Sequence, residues 1–109
     1  MASEAVVRST LFKVPNPADI DGILEKYSTL KKDAKKDGKP YILEVNAGKA
    51  NTDPRNQGYS FLAVTKFASV EDMNYYDNQC EAHQAIKASA KGKIEPPPLM
   101  VYTTNAVGS

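Results

Sequence analysis

Apolar residues along this chain change their period several times, and each change marks an element. Residues 6–14 alternate, with Val6, Arg8, Thr10, Phe12 and Val14 on one side and Val7, Ser9, Leu11 and Lys13 on the other, the two-residue period of a strand. Pro15-Asn16-Pro17 stops it, and Pro17 suits the start of a helix because a first helical position needs no amide donor. Ile20, Ile23, Leu24, Tyr27, Leu30 and Ala34 then recur at helical spacing as one stripe, which outweighs the roughly 1 kcal/mol cost of Gly22 within it. The spacing predicts that this helix ends within the lysine-rich segment 31–37, with Gly38 as its left-handed cap. Residues 41–47 read as a second strand and 48–58 as a polar loop. Residues 61–67 read as a third strand whose two alternating sets are both largely apolar, as in a central strand buried on both faces. Ser69 stands three residues before Asp72, the pattern of a helix cap, so a helix begins near Val70. Ala82, Ile86 and Ala90 mark a last helical stretch ended by Gly92. Pro96-Pro97-Pro98 reads as a stiff connector, 99–104 as a fourth strand and 105–109 as a loose tail.

Strand, helix, strand, strand, helix, strand is two strand-helix-strand halves in succession. The expected class is therefore α+β: a ferredoxin-like, four-stranded antiparallel sheet with helices on one face. That leaves one sheet face bare, and Val7, Leu11, Leu62, Val64, Met100 and Tyr102 are expected to make it apolar. Covering it with the same face of a second copy gives a homodimer through the sheet. The 109 residues predict a single domain over 1–109, with its core at 6–104 and no internal repeats. Fourteen basic and 13 acidic residues leave a net charge of +1, so no electrostatic footprint for nucleic acid or an anionic membrane is expected. The absence of a long apolar run, together with a single cysteine, Cys80, points to a soluble protein of the reducing cytoplasm.

His83 is the one histidine and the first candidate for chemistry, since its ordinary pKa lets it give or take a proton near neutrality. The plainer reading is a half-exposed residue at a helix start. Tyr75 and Tyr76 point about 100° apart on a helix, so one faces the sheet and the other the surface, where the inner ring can equally be core packing. Asp77 or Glu81 can orient the histidine. Arg8 puts a charge on the face it shares with Thr10 and Phe12, so it either meets a carboxylate of protein or ligand or reaches water at the sheet margin. Cys80 and His83 alone are too few for a metal site, and no metal or cofactor is expected. Gly48-Lys49 lacks the remaining positions of a phosphate loop.

Phe67 at a strand end, Ser69-Val70-Glu71-Asp72, the Tyr75-Tyr76 pair and Ala82-His83 together resemble the stress-responsive α/β barrel (Dabb) family of small dimeric proteins. The likeness runs from Leu11-Phe12-Lys13 to Val101-Tyr102 and implies a dimeric α+β barrel. The plant olivetolic acid cyclase is similar to this fold, and the resemblance implies His83 as a base with Tyr76, or Tyr75 in its place, as hydroxyl donor. The Tyr76 to His83 spacing is one residue longer than in that cyclase, Arg8 and Phe61 stand where histidines are found, and Glu81 replaces a proline, so no substrate is inherited. Two functions follow. One is a non-catalytic stress-response dimer that binds a hydrophobic small molecule. The other is a cofactor-independent acid-base enzyme: a polyketide cyclase, aldolase-type enzyme or decarboxylase. Arg8, Thr10, Phe12, Ile23, Leu24, Tyr27, Phe61, Ala63 and Thr65 are the expected pocket residues for either. A closed pocket with His83 in hydrogen-bond reach of a tyrosine hydroxyl favours the enzyme, and a solvent-facing His83 over a filled core favours the other.

Overall fold

The computed structural model describes residues 4–104. The strands are β1 (Val6–Lys13), β2 (Lys35–Lys36), β3 (Lys39–Pro40), β4 (Ile42–Lys49), β5 (Phe61–Phe67) and β6 (Glu95–Thr104), and the helices α1 (Ile20–Ser28), α2 (Leu30–Asp33), α3 (Val70–Asn78) and α4 (Glu81–Ala90). The four long strands form one sheet in the order β4-β5-β1-β6, and every neighbouring pair is antiparallel. The helices pack on one of its faces, which makes the fold ferredoxin-like α+β. The β1–β5 register sets Val6 opposite Phe67, Arg8 opposite Thr65, Thr10 opposite Ala63 and Phe12 opposite Phe61, all on the helix side. Ile20, Ile23, Tyr27 and Leu30 close over them from α1 and α2 as the stripe predicted. Ser69 caps α3 by accepting from the Asp72 amide at 3.1 Å.

Three local expectations change. The stripe expected as one helix breaks at Thr29 into α1 and the single turn α2, which ends at Asp33, and β2 and β3 follow as a small hairpin. Asp37 (φ 54°) and Gly38 (φ 78°) are both left-handed, as a two-residue hairpin turn between right-twisted strands requires, so Gly38 serves a turn and not a helix cap. Tyr75 pins this hairpin to α3 by donating its hydroxyl to the Lys35 carbonyl (3.1 Å), and Lys36 Nζ meets Asp72 at 2.7 Å. Next, β6 begins at Glu95 and takes in the proline run. It is an edge strand, and prolines are tolerated there because one side of the strand has no ladder to serve.

The third change is one of face. Met100 pairs with Thr10 and Tyr102 with Arg8, so both lie on the helix side; Leu99 and Val101, opposite Leu11 and Ser9, take the bare face instead. A shift of one residue moves every side chain of a strand to the other face. The bare face is still apolar, made by Val7, Leu11, Leu62, Val64, Leu99 and Val101. Within this subunit β5 is therefore central but buried on one face, with Leu62 39% exposed on the other. The expected tail at 105–109 lies outside the described residues. Among those residues no helix is long and apolar enough to cross a membrane.

Candidate functional site

A cavity of about 310 Å³ lies between the helix side of β1 and β6 and the facing sides of α1 and α4. Its walls are apolar, with Phe12, Ile23, Ile86, Ala90, Ile94 and Met100, and its polar groups include Arg8, Asp77 and His83. Arg8 comes from the inward row of β1, Asp77 from the last turn of α3, and His83 from the first turn of α4.

Burial of Arg8, 9% exposed, is made tolerable by Asp77, whose Oδ1 accepts from Arg8 Nη1 at 2.7 Å. Arg8 Nε also points to Thr10 Oγ1 at 3.4 Å. His83 is 6% exposed, and its Nδ1 lies 2.8 Å from the Tyr76 carbonyl oxygen. A carbonyl can only accept, so Nδ1 carries the proton and donates it, leaving the lone pair of the neutral ring on Nε2. The imidazole lies flat on the Tyr76 ring, with centroids 3.7 Å apart and planes 9° from parallel. Burial lowers the His83 pKa from 6.5 to about 4; the hydrogen bond to Tyr76 opposes this, while Lys87 and Arg8 add to it. Asp77 Oδ1 is 3.9 Å from Nδ1, too far for a hydrogen bond, so Asp77 compensates Arg8 instead of orienting the histidine. Tyr27, also on the wall, has its pKa raised to about 12 by burial, against the pull of Arg8, and stays protonated.

Of the residues expected from sequence, Arg8, Thr10, Phe12, Ile23, Tyr27 and His83 come together on this cavity. Phe61, Ala63 and Thr65 are buried in the sheet layer beside them, and Leu24 packs part-buried against the core. Tyr76 sits behind the imidazole. Tyr75 lies against the hairpin, its ring edge-on to Tyr41. Ile86, Lys87 and Ala90 also line the cavity, and their spacing of three, four and seven from His83 was a readable helix-face signal. Pro98 and Met100 were hidden by the β6 register. A larger hollow of about 640 Å³ lies over Leu11, Leu62, Val64 and Leu99 on the bare sheet face, bounded by the β4–β5 loop. The buried histidine and arginine are on the helix side, which makes the smaller cavity the candidate site. Among the described residues no three His, Cys, Asp or Glu side chains group as a metal site.

The family model described as Stress responsive A/B Barrel Domain matches residues 6–95. The Fusaristatin A biosynthesis cluster protein of Gibberella zeae is 42% identical over 85 residues, which are 78% of this chain and 62% of that protein. The chain thus spans less than two thirds of that relative's length. Among solved structures, the hydroxynitrile lyase of Passiflora edulis superposes with a TM-score of 0.75 at 17% identity, covering 97% of this chain and 98% of the other. A dimeric ferredoxin-like protein of unknown function from Thermobifida fusca gives a TM-score of 0.74 at 14% identity, covering 94% of this chain and 92% of the other. At those identities the structural likeness is one of fold.

Proposed function

The chain belongs to the stress responsive A/B barrel domain family, and on that basis we propose that it acts as a homodimer whose helix-sheet cavity binds a hydrophobic small molecule. The observation that carries the reading is the cavity itself: about 310 Å³ of mostly apolar wall with buried polar groups from three elements. Small-molecule chemistry also runs through its relatives, one tied to the biosynthesis of fusaristatin A and one a hydroxynitrile lyase. The apolar bare face of the sheet supports pairing of two copies, and the Thermobifida fusca neighbour is itself dimeric. We further propose that the chain works as a single domain in the cytoplasm, where its buried free thiol, Cys80, needs no partner.

Proton transfer by a histidine-tyrosine pair calls for a tyrosine hydroxyl at the imidazole. Here His83 meets Tyr76 through the ring face and the main-chain carbonyl. That contact holds the ring still without supplying a proton, and among the described residues no hydrogen bond joins His83 to the hydroxyl of Tyr27 on the same wall, so binding without turnover is the function the geometry supports best. Titration with 1-naphthol, an apolar bicycle with intrinsic fluorescence, tests it. One saturable site per subunit is expected, and Ala90→Phe, which fills the cavity from α4, should abolish it while leaving the thermal melt cooperative. Binding that ignores Ala90→Phe, or no saturable binding at all, would reject the cavity as a ligand site.

A further inference from the structure

The polar end of the cavity has a definite hydrogen-bonding sense. His83 Nδ1 is committed to the Tyr76 carbonyl, so the ring offers its surroundings one acceptor, Nε2, and no donor. Arg8 is the reverse: Nη1 serves Asp77, Nε leans on Thr10, and the guanidinium only donates. Among the described residues, the Tyr41 hydroxyl is the one buried side-chain polar atom left without a partner. His83 Nε2 and Arg8 Nη2 make no hydrogen bond among the described residues, and neither is sealed in the core; both residues line the cavity, which is the open space beside them. The two residues flank the same carboxylate, with Asp77 Oδ1 2.7 Å from Arg8 Nη1 and 3.9 Å from His83 Nδ1, and all three line the one cavity, so the free atoms of both open onto a shared space.

Resting on the binding reading above, we propose that this site selects its ligand by a hydroxyl group, whose O–H donates to His83 Nε2 while its oxygen accepts from Arg8 Nη2. Other head groups fit worse, each for a definite reason. A ketone, ether or ester has no proton for Nε2 and leaves a buried acceptor unpaired. An ammonium group offers only donors and sets a second cation against Arg8. A carboxylate offers only acceptors, and Asp77 already balances the guanidinium. Lys87 Nζ, the other cation on the wall, lies 3.3 Å from the Asp77 main-chain oxygen and so has an acceptor of its own. A hydroxyl on an apolar body, alcoholic or phenolic, satisfies both free atoms without bringing charge into a site with apolar walls.

Three naphthalenes separate this inference from the reading beneath it: 1-naphthol, 1-methylnaphthalene, which has nearly the same shape and is more apolar, and 1-methoxynaphthalene, which keeps the oxygen but loses the donor. In the wild-type protein 1-naphthol should bind about tenfold or more tighter than either of the others. In His83→Phe, where a flat ring still covers Tyr76, that preference should vanish while 1-methylnaphthalene binds as before. If 1-methylnaphthalene binds the wild type as tightly as 1-naphthol, the hydroxyl inference is overturned and the binding cavity stands. If none of the three binds, the cavity reading falls and takes the inference with it. Should His83→Phe fail to fold, the wild-type comparison decides alone.

Discussion

Burying His83 as a neutral ring carries a cost that pH exposes. Its pKa is lowered from 6.5 to about 4, first by desolvation, so between those values the unfolded chain takes up a proton that the folded chain refuses. Stability therefore has the histidine's full contribution above pH 6.5, declines as pH falls from there towards 4, and changes no further on this account below it. The shift corresponds to a loss on the order of 3 kcal/mol. Carboxylates titrate in the same range, so the measurement is a difference: urea melts of wild type and His83→Phe at pH 7 and pH 4. Wild type should lose about 2–3 kcal/mol more than the variant over that interval; equal losses would show that the imidazole is not held neutral in the fold. That His83 and Arg8 mattered was legible in the chain, because a lone histidine and a charge in an apolar row are both anomalies. Their partners were not. Arg8 and Asp77 are 69 positions apart, and nothing local says whether a buried guanidinium meets a protein carboxylate, a ligand or water.

At the scale of elements, the site depends on α3, which carries both Asp77 and the Tyr76 carbonyl at its C-terminal end. Ser69 sets where that helix starts, through its hydroxyl on the Asp72 amide. Ser69→Ala should cost about 1 kcal/mol, read as a lower urea midpoint at unchanged slope, while Ser69→Asp should retain most of the stability. No change in Ser69→Ala would mean that packing alone positions the helix. The strands β1 and β5 could be read from sequence within a residue or so, because their alternation repeats often enough to fix a period. The α1 stripe, by contrast, reads straight through the break at Thr29, since Leu30 and Ala34 keep its spacing. The β2–β3 hairpin could not be read, since strands of two residues have no period. Its one signal was the Asp37-Gly38 dipeptide, a strong hairpin mark that a preceding helical stripe disguises as a cap. In β6 the proline run hid the strand's start. Four consecutive apolar residues, 99–102, then left the alternation with no polar position to fix which set faced the helices.

For the whole molecule, the decisive quantity is what lies over the bare sheet face. Leu62 on β5 is 39% exposed, and Leu99 and Val101 on β6 are 45% and 53%, with Val7 and Leu11 of β1 between the two strands; Ser9, Asn46 and Thr103 share this face, and the Glu44–Lys66 pair lies towards one end. Side chains that exposed in a lone subunit can be replaced at almost no cost to it, typically within about 0.5 kcal/mol. In a dimer closed through this face the same positions are interior, and an unpaired carboxylate there costs several kcal/mol. Leu62→Asp on the central strand β5 therefore separates the two situations. Wild type should sediment at twice the subunit mass at micromolar concentration and Leu62→Asp at the subunit mass, with the variant's far-ultraviolet dichroism retained because the helix-side core is untouched. A wild type that sediments as one subunit, or a Leu62→Asp protein that remains paired, would show that two copies do not close on each other through this face.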